Sequence, residues 1–168
     1  AARTAGFDLS DSDGIRDFLS TLGRVDALIN SASVFEHDDP ASVSPDSLLT
    51  ALKVNLMAPV LLASEMAKAH TGRASGCIIN LLDQKLFNLN PDFFSYTLAK
   101  AGLHAATQTL AMALAPAVRV NAIAPGITLP SGGQSRGAFE KAHAMNPMRG
   151  GAEPDDIVRA VRFILAAS

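Results

Sequence analysis

Three short apolar runs, 25–30, 76–82 and 118–123, alternate with four stretches that carry apolar residues at helical spacing: Ser12 to Leu22, Pro45 to His70, Phe94 to Leu114 and Pro154 to Ala167. By length and β-branching the three runs read as buried strands, each followed by a polar or Pro/Gly-marked loop. Strands that alternate with helices in this way predict a parallel sheet covered on both faces, the doubly wound α/β class. Asp8-Leu9-Ser10-Asp11 reads as the close of a further short strand and the opening of the first helix, with Ser10 or Ser12 as N-cap. The chain of 168 residues, 48% of them hydrophobic, has enough apolar material for one sizeable core.

Helix starts carry their own signals. Ser44-Pro45-Asp46 combines an N-cap, a proline at the first helical position and an acid in the first turn, and Glu153-Pro154-Asp155-Asp156 repeats the device. Residues 126–151, rich in Gly, Pro, Ser and Met, are too long for an ordinary connection and read as a partly helical lid or substrate loop.

Charge narrows the function classes. The 14 basic and 16 acidic residues are dispersed, with a net charge of −2, which leaves no electrostatic footprint for nucleic acid or an anionic membrane. No run of about eighteen apolar residues predicts a membrane span, and no basic segment followed by an apolar one predicts a secretory signal. The lone Cys77 excludes an internal disulfide and reads as a core residue, so the expected setting is a reducing cytoplasm.

Open parallel sheets bind ligands beyond the C-terminal ends of their strands, so the loops after Asn30, Leu82 and Ile123 are expected to converge. They carry Asn30-Ser31-Ala32-Ser33-Val34-Phe35, then Asp83, then Pro125-Gly126-Ile127-Thr128. Tyr96 and Lys100, four apart at the start of a helix, share one face. An ammonium beside a phenol favours the phenolate, so Lys100 is expected to lower the pKa of Tyr96, the single tyrosine, and prepare it for proton exchange.

Taken in order, the strand with Asn30-x-Ala32, the helix with Val54-Asn55, the strand with Asn80, Tyr96-x-x-x-Lys100, the strand with Asn121 and Pro125-Gly126 resemble the short-chain dehydrogenase/reductase family over nearly the whole chain. The resemblance implies a Rossmann-like fold and a nicotinamide cofactor held by Asp8, Leu9, Asn30, Ser31, Ala32, Tyr96, Lys100, Pro125, Gly126 and Ile127. It also implies Tyr96 as acid/base, Lys100 on the nicotinamide ribose and Asn55 supporting a proton-relay water. Against that family pattern the sequence lacks the first two strands with their glycine-rich turn, and the last strand. The expectation is an internal portion of a longer enzyme whose intact mass exceeds 17.5 kDa.

One departure narrows the resemblance. Thirteen residues before Tyr96, where the family carries its catalytic serine, stands Asp83. Pteridine reductases of the same family carry aspartate there, together with a loop like Asn30 to Phe35. This subgroup resemblance implies NADPH as cofactor, with NADH an alternative. It implies a stacking role for Phe35 on a pterin, contacts of Asp83 and Tyr96 with the substrate, and a contact of Ser33 with the pterin or a cofactor phosphate. The residues themselves leave two alternatives open: Asp83 as a cap for the segment 84–89, and Phe35 as a loop aromatic packed on the core. A carbonyl reductase and a non-catalytic binding module are the competing functions.

The remaining candidates have plainer readings. His37 with Asp38 and Asp39 reads as a solvated loop edge rather than a metal site, and no metal is expected. His70, His104 and His143 are expected on or near helix surfaces without partners, and Ser95 as a polar residue at a helix start. Gly132-Gly133 does not read as a phosphate loop. The alanine-rich faces of the two long helices resemble the family's dimer interface, which predicts a homodimer or homotetramer.

Overall fold

The computed structural model describes residues 4–70, 76–131, 133–148 and 150–167. Arg149 and Gly132 of the expected lid lie outside the described residues. The three apolar runs form one parallel sheet in the order β1 (Ala27–Asn30), β2 (Gly76–Leu81), β3 (Val118–Ile123). Leu28 stands beside Ile78 and Ile78 beside Val120, while Asn30, Asn80 and Ala122 make the last common row. The strand ends are thereby level, and the loops that follow them leave the sheet side by side.

Strand alternation sorts side chains to two covered faces. Ile78, Val118 and Val120 pack with Ala63, Met66, Leu110 and Leu114 from helices α3 (Ala58–Ala69) and α4 (Phe94–Leu114). On the other face, α6 (Pro154–Ala166) lies against β2 and β3, and Arg119 of β3 donates to the Ile164 carbonyl at 3.1 Å. Helices on both faces of a parallel sheet make this the doubly wound, Rossmann-like arrangement expected. α1 (Ser12–Leu22) packs on α3, and α5 (Arg136–Ala144) lies inside the expected lid. Cys77 is buried in β2.

The segment 45–69 is helical throughout, in three parts: α2 (Pro45–Leu52), a π-helical turn (Lys53–Met57) and α3. By length and composition it would cross a bilayer. Its buried residues Ala58, Leu62, Ala63 and Met66 instead belong to the two core clusters, the role of a core helix. Ser44 caps its start through the Ser47 backbone N–H, with Pro45 in the first turn as expected.

Three expectations change. No strand closes at Asp8, because no described residue offers residues 4–8 a ladder partner; Phe7 and Leu9 pack on Ile15, Ala58 and Leu62 instead. The first helix is capped by Asp11, whose carboxylate accepts from the Asp13 and Gly14 N–H groups, rather than by Ser10 or Ser12. His70 is buried at the end of α3 with Nδ1 2.9 Å from the Met66 carbonyl, since an imidazole turned back along its own helix meets a free last-turn carbonyl. His143 also has a partner, accepting from the Gly151 N–H at 3.3 Å.

Candidate active site

Side-chain amides tie the strand ends to the helices that carry the site. Asn30 Nδ2 donates to Asn80 Oδ1 at 2.8 Å, Asn80 Nδ2 to Thr107 Oγ1 at 2.9 Å, and Thr107 Oγ1 to the Leu103 carbonyl at 2.7 Å. This buried chain fixes β1, β2 and α4 relative to one another, and every donor in it finds an acceptor.

Asn55 sits on the π-helical turn and is fully buried. Its Oδ1 accepts from Ser33 Oγ at 2.9 Å and Val34 N–H at 3.0 Å, and its Nδ2 donates to the Val34 carbonyl at 2.8 Å. The loop after β1 is thus pinned at Ser33 and Val34, which presents Phe35. Ser33, expected on substrate or cofactor phosphate, spends its hydroxyl on Asn55, and Asn55, expected on a relay water, spends its amide on Ser33 and the Val34 backbone.

A second anchor joins that loop to α4. Asp38 is only 6% exposed; its Oδ1 accepts from the Ser95 N–H at 3.0 Å, its Oδ2 from the Ser95 hydroxyl, and its backbone carbonyl from the Phe94 N–H at 3.2 Å. The expectation of a solvated edge at residues 37–39 fails at Asp38, because its carboxylate and its backbone carbonyl satisfy the orphan Ser95 and Phe94 N–H groups that begin α4. Phe93, in the left-handed region at φ 55°, makes the turn into that helix. It has no side-chain cap of its own.

Tyr96 and Asp83 meet at the centre. Tyr96 Oη donates to Asp83 Oδ2 at 2.8 Å, while Asp83 Oδ1 accepts from the Lys85 N–H at 2.8 Å. The two readings of Asp83 therefore hold together: one oxygen caps the short 3₁₀ turn Gln84–Phe87 and the other faces the phenol. Lys100 Nζ donates to the Leu81 carbonyl at 2.7 Å and lies 5.6 Å from the Tyr96 ring centroid. Burial, then the charge and hydrogen bond of Asp83, push the Tyr96 phenol well above its ordinary range. The expected lowering by Lys100 is overturned, since burial disfavours the phenolate and the group in direct contact with the phenol is the carboxylate, not the ammonium. Burial lowers the pKa of Lys100, and the Asp83 charge opposes that shift.

Phe35 stacks on Phe93 with ring centroids 4.0 Å apart and planes 9° apart, and meets Tyr96 edge-on at 4.7 Å. Two cavities adjoin here. One of about 470 Å³ is lined by Phe35, Asp83, Phe93, Gly126, Ile127 and Gln134 among others. The other, about 590 Å³, is lined by Ile29, Ser31, Leu81, Lys100 and residues of α6 including Ile157. Ser33, Tyr96, Pro125, Thr128 and Leu129 line both. Of the expected cofactor residues, Leu9, Asn30 and Ala32 line a separate apolar cleft beside β1, and Asp8 lines none of the three. Sequence reasoning missed Phe93 and Asp38; the aromatic pair Phe93-Phe94 before Tyr96 was the available signal for the first, and nothing local announced the second.

This site, at the level ends of a parallel sheet with tyrosine and lysine one helical turn apart, is that of the short-chain dehydrogenases/reductases. The chain belongs to that family: residues 7–168 match the family model described as Enoyl-(Acyl carrier protein) reductase. Among relatives, it is 32% identical to a dihydromonapterin reductase of Enterobacter sp. (strain 638), over 73% of this chain and 53% of that protein. It is also 32% identical to an uncharacterized oxidoreductase of Methylorubrum extorquens, over 85% of this chain and 59% of that one. The chain thus spans less than two thirds of either relative. Among solved structures, FolM alternative dihydrofolate reductase 1 from Brucella canis, complexed with NADP, superposes with a TM-score of 0.92 at 39% identity, covering 99% of this chain and 67% of that one.

Proposed function

We propose that the protein carrying this chain reduces the C=N bond of a pterin-type heterocycle with NADPH. The single observation that carries the reading is the Tyr96–Asp83 hydrogen bond of 2.8 Å at the junction of two cavities, where this family otherwise places a serine. The similarity to the dihydromonapterin reductase and to the NADP-bound dihydrofolate reductase supports it.

The donor set of the larger cavity fits a nicotinamide cofactor. Lys100 presents an ammonium with three N–H bonds, one of which goes to Leu81, leaving donors for the diol of a ribose. Ile29, Leu81 and Pro125 supply an apolar wall for a flat ring. NADPH, when bound, supplies the hydride.

The chain's own residues supply the rest. Tyr96 is held as the neutral phenol by burial and by Asp83, so it serves as the proton donor to the ring nitrogen next to the reduced carbon. Asp83, an acceptor only when ionised, takes N–H bonds from the guanidine-like edge of the heterocycle, which a serine would take less well. A ketone has no such donors, so the same carboxylate disfavours it. Phe35, backed by Phe93 and aligned edge-on to Tyr96, offers an aromatic surface on which the heterocycle stacks. Asn55 and Asp38 act as positioning residues, the first for Phe35 and the second for the helix bearing Tyr96. The exposed Leu98 and Met112 on α4 support a homodimer or homotetramer.

NADPH oxidation by the full-length protein, measured with dihydrobiopterin, dihydrofolate and simple ketones in parallel, tests the reading. Turnover of the dihydropterins in preference to the ketones is expected; preference for ketones contradicts it.

A further inference from the structure

The wall of the 470 Å³ cavity carries one carboxylate, Asp83, and one ammonium, Lys85. They are two residues apart and joined through the backbone, the Lys85 N–H donating to Asp83 Oδ1 at 2.8 Å. The Lys85 Nζ donates to Asn90 Oδ1 and lies 5.9 Å from the centroid of the Phe93 ring, which backs Phe35. Asn88, Asn90 and Gln134 line the cavity with it, all uncharged. Among the described residues no carboxylate pairs with Lys85 within salt-bridge distance: the ion pairs formed are Arg16–Glu65, Arg24–Asp26, Lys68–Glu65, Arg136–Glu140 and Arg159–Asp156.

A cation placed on a ligand cavity and held by a neutral amide and a ring, with no described carboxylate within salt-bridge distance, is open to pairing with a ligand anion. Asp83, Lys85, Phe35 and Phe93 line the same cavity, so an acceptor, a cation and an apolar aromatic surface face one space. Such a wall complements an elongated ligand with N–H donors on a flat head and an anionic group on its tail. We infer that Lys85, with Asn88 and Asn90, forms a subsite for the carboxylate tail of the substrate, so that the site prefers a reduced pterin carrying an acidic substituent over one with a neutral side chain. This rests on the pterin reading of the same site and deepens it by naming the substrate class.

The test compares kcat/KM for dihydrofolate, which carries carboxylates, with kcat/KM for dihydrobiopterin, whose side chain is neutral, using full-length wild type, Lys85→Ala and Lys85→Glu. An ammonium at the cavity wall on a mobile carboxylate lies between an exposed ion pair and a hydrogen bond to a charged group, so the dihydrofolate-to-dihydrobiopterin ratio should fall roughly fivefold in Lys85→Ala. It should fall further in Lys85→Glu, through KM for dihydrofolate, and the wild-type ratio should fall with added salt. Lys85→Arg should restore most of the ratio, which a purely structural role in the 3₁₀ turn would not require. A ratio within twofold of wild type in Lys85→Glu overturns the subsite while leaving pterin reduction standing. Failure of the wild type to reduce either compound overturns the pterin reading, and the subsite with it.

Discussion

Replacing Asp83 by asparagine separates its two contacts cleanly. In the wild type Oδ1 accepts from the Lys85 N–H and Oδ2 from the Tyr96 hydroxyl. Asparagine caps a helical turn as well as aspartate does, so its carbonyl oxygen keeps the Lys85 bond and its NH₂ group turns toward Tyr96 Oη. The phenol then loses an anionic acceptor, which held its proton, and gains a donor, which favours the phenolate. A hydrogen bond to a charged group contributes about 1.5–3 kcal/mol, or roughly one to two pH units at 1.36 kcal/mol each. Tyr96 therefore titrates well above its ordinary value in the wild type, and about one to two units lower in Asp83→Asn. The tyrosinate absorbance of each protein minus that of its Tyr96→Phe counterpart isolates this group. The sign for stability follows: a phenol whose pKa is raised by folding stabilises fully below the unfolded value of about 10, and that contribution is lost as pH rises above it. Asp83→Asn should thus soften the alkaline loss of stability while lowering kcat/KM about a hundredfold. A wild-type Tyr96 that titrates at or below its ordinary value, or an upward shift in Asp83→Asn, would refute the reasoning.

Three further substitutions probe the supports of the site. Asn55→Ala removes three buried hydrogen bonds to the Ser33–Val34 loop and should cost about 2–4 kcal/mol in urea unfolding, with the extra loss of pterin binding that a loosened Phe35 entails. Asp38→Ala leaves the Ser95 N–H and hydroxyl without their acceptor and should lower kcat about tenfold with a smaller change in KM, because it frees the start of the helix bearing Tyr96. Gly151→Ala places a Cβ 2.6 Å from the Ile127 carbonyl and 2.3 Å from His143, so it should destabilise the protein by about 1–3 kcal/mol and speed amide exchange in α5.

Elements governed by local signals were legible from the residues alone. The helices Ser12–Leu22 and Phe94–Leu114 end where their periodicity ends, and Ser44-Pro45 starts its helix because capping depends on three neighbouring residues. Val118–Ile123 reads as a strand from its β-branched residues. Features decided by partners distant in sequence were not legible. Asp38 and Ser95 are 57 residues apart, so an acid in a His-Asp-Asp run looks solvated until the fold brings the start of α4 onto it. Asp8 to Asp11 reads as the close of a strand, yet a strand exists only where another lends it a ladder. For the site itself, the spacing identified Tyr96, Lys100 and Asp83, but the direction of the Tyr96 shift depended first on its burial and then on which charge touches the phenol, and only the structure shows Tyr96 buried with Asp83 at 2.8 Å.

A crystal structure of the full-length protein with NADP and a dihydropterin bound tests the central claim most directly. The account predicts the heterocycle against Phe35 in the smaller cavity, its N–H edge on Asp83 and a ring nitrogen within hydrogen-bond distance of Tyr96 Oη, with the nicotinamide in the cavity lined by Lys100. A pterin bound elsewhere, or one whose donors do not reach Asp83, would contradict it.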